Sequence, residues 1–359
     1  MKILHIITSL ETGGAEKLMV DLLPRMQERG HRVEICLFDG VRTPFYEQLE
    51  SAGIKIHSFT DGEVFYNPFY IIRLIRLMRK GWDVVHTHNT SPELFVAIAN
   101  CFVHTHIVTT EHSTSNRRRN WKWYKAIDRW MFNQYDSVIC ISDQSLLNHK
   151  KQVGESCAKN ACVIYNGIDY NKYKNASPVE DVRALSKKII TNVAGFRAPK
   201  DQPTLIRALK HLPDDFHLCL VGDGERREEY ETLIKSLSLS DRVHLLGWRS
   251  DIPNVLAASD YVVMSSHYEG LSLSSLEGMA SGKPFLADDV DGLREVVSDC
   301  GVMFKHEDDK GFADAILRLD NDESYRDQII KQCQAKTCGF DISIMVDKYL
   351  EIYENIQNF

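Results

Sequence analysis

Apolar and polar positions along the chain follow two alternating spacings. Short, nearly unbroken apolar runs suit strands buried on both faces. Between them lie longer stretches whose apolar positions recur every three or four residues, as on one face of a helix. The strand-like runs of the first half are KILHII (2–7), HRVEICLF (31–38), IKIHSF (54–59), DVVHTHN (83–89), HIVTTEH (106–112), SVICIS (137–142) and CVIYNG (162–167). Helical patterns cover 15–30, with Pro24 inside and Gly30 closing it, and then 68–80, 92–101, 121–134 and 142–150. The stretch NGIDYNKYKNASPVEDVRALSKK (166–188) breaks the rhythm with Asn, Lys, Ser and Pro and reads as a linker. A second series follows: IITNVAGF, FHLCLVGDG, RVHLLGW, DYVVMSS, KPFLADD and GVMFK, with helical patterns between. Strands alternating with helices predict parallel sheets covered on both faces. The expected fold class is α/β, with two doubly wound domains of similar size.

Length and composition agree. A chain of 359 residues is long for one core and natural for two. Hydrophobic residues at 43% and charged residues at 26% are ordinary for a soluble globular protein. A net charge of −7 argues against nucleic-acid binding by bulk electrostatics. No apolar run approaches the roughly 20 residues of a membrane span, and the amino-terminal run is too short for a signal-peptide core. Most of the nine cysteines lie in apolar runs, which predicts reduced thiols and a cytoplasmic location. Cys157 and Cys162, Cys333 and Cys338, and the H-T-H triplets at 86–88 and 104–106 do not have the usual spacing of a zinc site, so no metal is expected.

In doubly wound sheets, ligands bind where strands lead into helices. In the first half, Gly13 and Gly14 open a helix after the first strand, a turn that lets backbone N–H groups approach a phosphate. In the second half, GFRAPKDQPTL places Arg197 and Lys200 before a helix, one forked cation and one point charge suited to a diphosphate. VGDGE and LGWRSDIP are two further polar strand ends. The fourth, HYEGLSLSSLEGMASGKP (267–284), carries Glu269 and Glu277 eight residues apart. A helix starting near Ser272 would put Leu273, Leu276, Met279 and Ala280 on its apolar side. Gly270, Leu271 and Ser272 would then offer N–H groups to a phosphate, and Glu277 would accept hydroxyls of a ribose. The bland alternative is two solvated acids at a helix end.

The pair E-x7-E within EGLSLSSLEGMASGKP resembles glycosyltransferase family 4, whose members often read E-G-x-x-x-x-x-x-E-A-M-A-S-G-x-P. TGGAEKLMVDLL, DVVHTHN, TTEHS, VIYNGID, KDQPTLIRAL, VGDGERREEYETL and VHLLGWRSDIP fall in that family's order, so the resemblance covers nearly the whole chain. It implies the GT-B plan: an acceptor domain (1–170) and a donor domain (171–340) facing across a cleft, and a last helix (341–359) crossing back to the first domain. It implies a retaining, metal-independent transferase without a cofactor. Its donor would be a nucleotide-diphosphate-sugar, a UDP-sugar ahead of a GDP-sugar, and its acceptor a polysaccharide, glycolipid or lipid-linked saccharide. By the same resemblance His112 faces the donor sugar, Glu269 holds the sugar, Glu277 the ribose, and Arg197, Lys200, Gly13, Gly14, Gly270, Leu271 and Ser272 the phosphates. Two positions depart from the pattern. The arginine usual five residues before the phosphate lysine is Gly195, so Arg197 would supply that charge, and the alanine after the second glutamate is Gly278. A sugar-nucleotide epimerase of the same fold and a non-catalytic nucleotide-sugar binder are the alternative readings.

Between residues 68 and 130, ten Lys or Arg face four Asp or Glu, a balance of +6 within a chain of −7. FYIIRLIRLMRKG and RRRNWKWYKAIDRWMF mix these cations with aromatic and aliphatic residues. That mixture suits an anionic membrane surface touched through 68–80 and 117–130, or the diphosphate of a lipid-linked acceptor. The expected location is cytoplasmic, peripheral on the inner face of the membrane. A solvated basic face is the plain alternative.

Overall fold

The structure, a computed structural model, describes residues 1–11, 13–62, 66–112 and 124–358. It divides into two compact units, one of Met1–Gly167 with Ile342–Phe359 and one of Ile168–Asp341.

The first unit holds a seven-stranded sheet: β1 (Lys2–Ile7), β2 (Arg32–Asp39), β3 (Lys55–Thr60), β4 (Val84–His88), β5 (His106–Glu111), β6 (Ser137–Cys140) and β7 (Ala161–Val163). The order is β3-β2-β1-β4-β5-β6-β7 and every pairing is parallel. Ile3 lies beside both Val33 and Val84, so β1 is central. The core beneath it joins Leu4, Ile6, Phe38, Tyr70, Val85 and Phe95. After β3 the chain returns to β4 on the other side of β1. That reversal is the switch point where such sheets open a crevice at their carboxyl edge.

Helix Gly14–Glu28 keeps Pro24 within it, and its buried face is Leu18, Met19, Leu22, Leu23 and Met26. Helix Pro44–Ser51, between β2 and β3, has no counterpart in the sequence-based reading; only Leu49 of it is buried, too little to mark an apolar face. Helix Ile342–Gln357 belongs to this unit and packs against helix Gly14–Glu28. Tyr349 and Tyr353, both wholly buried, fasten it: Tyr353 hydroxyl meets His86 Nδ1, and Tyr349 hydroxyl lies 3.1 Å from Thr110 Oγ1.

The second unit holds six parallel strands: β8 (Lys188–Val193), β9 (Phe216–Val221), β10 (Val243–Gly247), β11 (Tyr261–Met264), β12 (Phe285–Asp288) and β13 (Val302–Phe304). Their order, β10-β9-β8-β11-β12-β13, puts the switch point between β8 and β11. The loops after those two strands carry Arg197 and Lys200, and Glu269.

The stretch read as a linker is structured. Helices Tyr170–Lys174 and Glu180–Arg183 lie within it, with Tyr173 2% exposed and Val182 wholly buried. Its polar residues face outward while a few apolar ones anchor it to the second unit. So sparse an apolar pattern is overlooked when periodicity is sought over a longer window. Among the described residues no helix is long and apolar enough to cross a membrane.

Candidate functional site

In the second unit the loop after β8 bends back on itself, Lys200 N–H donating to Arg197 carbonyl at 2.9 Å. It lies against the segment after β11, where Lys200 forms an isolated bridge with Ser266. This brings the Lys200 ammonium onto the Glu269 carboxylate in a direct ion pair, both side chains less than one-fifth exposed. The arginine departure also has a spatial account. Arg197 Nε stands 3.7 Å from where a side chain on Gly195 would begin, so the Arg197 stem folds back over the glycine.

Ser272 caps helix Leu273–Ala280 by position, without a side-chain bond to it. The first N–H groups of a helix have no intrahelical partner and carry its positive end. The helix is buried nearly all round from Ser275 onward. Glu277 is 3% exposed, which removes the reading of a solvated acid, and its carboxylate accepts a 2.6 Å hydrogen bond from Tyr173 hydroxyl. Gly278 is likewise a packing requirement: a Cβ there would come within 2.6 Å of the Phe285 ring.

Two residues that shape this site carried no signal in the sequence. Tyr173 sits in the supposed linker, 104 residues from the carboxylate it meets. Gly292, after β12, has φ +85, and a Cβ on it would collide with the Glu269 carbonyl. Its bare backbone therefore supports the Glu269–Gly270 peptide from behind.

In the first unit Gly13 is the extended residue before helix Gly14–Glu28. The space a side chain on Gly13 would take is filled by the Glu16 carboxylate, which also accepts from Asn89 Nδ2 at 3.4 Å. An acid of the chain itself thus stands at the helix start where the glycines were expected to meet a phosphate. Asn89, at the end of β4, has φ 70 and ψ 160, a backbone region nearly confined to glycine and costing about 1–3 kcal/mol. Nothing in the sequence marked it.

His112 ends a row of imidazoles. His5 Nδ1 lies 3.0 Å from His88 Nε2, and His88 Nδ1 lies 2.9 Å from His112 Nε2. His5 Nε2 is buried with no partner among the described residues. A bare lone pair is tolerated better than a bare N–H. The row is therefore best satisfied with His5 and His88 each donating from Nδ1, to Nε2 of His88 and of His112 in turn, which leaves His112 an Nδ1–H to offer. Burial pushes all of them toward the neutral form: His5 to about 3, His112 to about 4, and His86 and His88 well below the ordinary value, neighbouring imidazoles adding to the effect for the last two.

The predicted residues thus gather in two groups. Arg197, Lys200, Glu269, Gly270, Leu271, Ser272 and Glu277 surround the switch point of the second unit; Gly13, Gly14 and His112 surround that of the first. Arg117, Arg118, Arg119, Trp121, Lys122 and Trp123, half of the basic aromatic region, lie outside the described residues.

Two family models match the chain: one described as Glycosyltransferase Family 4 over residues 12–172, and one described as Glycosyl transferases group 1 over residues 175–336. The UDP-Gal:alpha-D-GlcNAc-diphosphoundecaprenol alpha-1,3-galactosyltransferase of Escherichia coli is 29% identical over 310 residues, covering 79% of this chain and 78% of that protein. The N-acetyl-alpha-D-glucosaminyl L-malate synthase of Bacillus anthracis is 28% identical over 369 residues, covering 96% and 94%. Among solved structures, Anabaena HepE in complex with UDP and glucose superposes with a TM-score of 0.86 at 24% identity, covering 99% of this chain and all of that one. It shares the fold.

The neutral imidazoles set a pH dependence. An unfolded histidine titrates near 6.5, whereas His5, His86 and His88 bind protons in the folded state only far below that. Between those values the unfolded state holds more protons, so stability falls as pH falls. The expected slope is up to about 1.4 kcal/mol per pH unit for each histidine. Urea denaturation at steps from pH 7 to pH 5 should show this loss; a flat profile would mean that the folded histidines accept protons.

Proposed function

Since the chain belongs to glycosyltransferase family 4 and has the two Rossmann-like units of the GT-B type, we propose that it is a retaining enzyme moving a hexose from a UDP-sugar to a lipid-linked or glycolipid saccharide. The observation that carries this reading is the unlike setting of the two carboxylates. Glu277 is sunk in the helix after β11 under Tyr173, and Glu269 lies at that loop's mouth on Lys200. The relatives support the substrate class: the Escherichia coli protein is named for UDP-galactose and a lipid diphosphate, and the Anabaena structure holds UDP.

A sugar–phosphate bond breaks as negative charge grows on the leaving diphosphate and positive charge on the sugar. Lys200, Arg197 and the N–H groups of Gly270, Leu271 and Ser272 stabilise the first. When the diphosphate enters it competes for the Lys200 ammonium, and the ion pair with Glu269 opens. Glu269 is then released toward the sugar hydroxyls. Glu277, already aligned by Tyr173, accepts the ribose hydroxyls. His112 stays neutral at physiological pH and offers Nδ1–H to a sugar oxygen, a donor rather than a base. Gly13 and Gly14 join the phosphate contacts once Glu16 swings off the helix start. The protein's own cations take the place of a divalent ion on the leaving group.

The first unit carries the acceptor in this reading, and helix Phe69–Met78 brings it to a bilayer. Phe69 is 72% and Ile72 49% exposed, and Arg73, Arg76, Arg79 and Lys80 continue the same side. Arg73, Arg76 and Lys80 line a shallow cleft with His57, which suits an anionic headgroup. The protein would then work at the cytoplasmic face of the membrane.

Replacing Glu277 with Ala should weaken UDP binding by roughly 10- to 150-fold, the loss of a charged hydrogen-bond acceptor worth about 1.5–3 kcal/mol. Glu269→Ala should spare free UDP and reduce turnover of the full donor. Calorimetry and a transfer assay on the two variants separate these roles; equal losses for nucleotide and donor would contradict them. Epimerised donor formed without acceptor would point instead to an isomerase.

Transfer should continue in EDTA. Loss of activity on chelation with recovery by magnesium or manganese would overturn the assignment of leaving-group stabilisation to Lys200 and Arg197.

The protein should co-sediment with anionic liposomes, less with neutral ones, and detach as salt rises. Each surface cation is worth about 1 kcal/mol within a Debye length of about 8 Å. Phe69→Ser with Arg76→Ser, or Ser at Arg117, Arg118 and Arg119, should reduce sedimentation and leave UDP binding intact. Wild-type indifference to anionic liposomes at low salt would remove the membrane from the proposal.

A further inference from the structure

At the carboxyl edge of the second sheet, three loops bring together side chains that the donor site does not use. Asp201 stands before helix Gln202–Ala208, His267 follows β11, and His306 and Glu307 follow β13. One oxygen or nitrogen from each of Asp201, His267 and His306 lies within 4.8 Å of the others. His267 Nδ1 and His306 Nε2 are 3.2 Å apart, and Glu307 Oε1 is 3.6 Å from the first and 3.9 Å from the second. A tetrahedral cation with ligands at 2.0–2.1 Å holds neighbouring ligands about 3.3 Å apart. The two imidazole planes stand at 88°, so the rings approach one point from different directions without stacking.

The surroundings of His306 are those of a metal ligand. Its Nδ1 lies 3.0 Å from the Asp288 carboxylate, which is wholly buried and fixed by the N–H of Ser266 at 3.2 Å and the hydroxyl of Ser265 at 3.1 Å. A carboxylate on one ring nitrogen keeps the proton there and turns the other lone pair outward, as behind most metal-bound histidines. Glu307 has φ 57, an uncommon left-handed backbone for a side-chain-bearing residue. Asp201 accepts from Thr204 N–H at 3.3 Å, and its other oxygen stands 3.4 Å from Ser265 Oγ, whose one proton goes to the nearer Asp288, so carboxylate lone pairs remain in reserve. His267 and His306 are each about one-third exposed, so an ion can reach them.

The trio His5, His86 and His88 also lies close enough to be considered, but its rings stack and both nitrogens of His86 are engaged by Tyr353 and Thr110. It is a packed hydrogen-bonded row.

We propose that Asp201, His267, His306 and Glu307 form a binding site for a divalent cation of the zinc class. Two imidazoles with two carboxylates favour such a borderline ion over magnesium or calcium, which prefer oxygen alone. Asp201 follows Lys200, and His267 lies two residues before Glu269, so the cation would tie together the loops that carry the ion pair. This coupling rests on the donor-site reading; the metal site itself does not.

The test uses the full chain, freed of metal by a chelator that is then removed, and zinc as the probe. Calorimetry should show one saturable site. Cobalt in its place should give the intense visible bands of tetrahedral coordination. His267→Ala and His306→Ala, substitutions at partly exposed positions, should each weaken zinc by more than tenfold, and Asp288→Asn by about 10–100-fold through loss of the outer carboxylate. Magnesium should not compete. Absence of saturable zinc binding, binding unchanged by both histidine substitutions, or equal affinity for magnesium would overturn the proposal. With UDP absent, failure of the donor reading leaves these outcomes unaffected.

Discussion

A parallel sheet covered by helices on both faces leaves its polar chemistry one place to go, the carboxyl ends of its strands. Elsewhere the central strands are mostly apolar on both sides, while polar pairs such as Glu34 with His57, and His217 with His244, lie toward the sheet edges. Many of the buried polar groups collect near the two switch points. In the first unit they are imidazoles that satisfy one another in a row. In the second they are acids, each met by a different partner: Glu277 by a phenol, Glu269 by an ammonium, Asp288 by serines and an imidazole. Burial makes every one of these pairings obligatory, because a lone buried charge or N–H costs more than most single contacts return.

The ion pair between Lys200 and Glu269 gives the second site a resting state. Each group is the other's placeholder, so neither faces the low-dielectric loop unpaired. A ligand that brings an anion for the lysine and hydroxyls for the glutamate exchanges one satisfied arrangement for another. A ligand with only half of that chemistry would leave a partner stranded, so in the proposed function the pair would favour the complete donor.

The alternation of strands and helices was legible because burial on both faces writes an apolar run for every strand, and E-x7-E was legible because both acids lie on one continuous loop and helix. What escaped was long-range or locally faint. Tyr173 reaches Glu277 from a segment with too few apolar residues to look folded. Gly292 matters only because β12 lies beside β11 and aims its turn at the Glu269 carbonyl. The strain at Asn89 belongs to a backbone angle that no residue type announces. Glu16 over Gly13 was equally silent: a helix start suited to an anion already holds one from its own first turn.

Helix Ile342–Gln357 has a consequence for the order in which the chain matures. His86 and Thr110, buried in the first unit, find their hydroxyl partners on Tyr353 and Tyr349. Those tyrosines are synthesised only after the whole second unit. Domains commonly fold as they emerge, the amino-terminal one first. Here the first unit would wait on the ribosome with its sheet made and His86 and Thr110 lacking those partners, while the second can close around its own core. The part of the protein made earliest is therefore completed last.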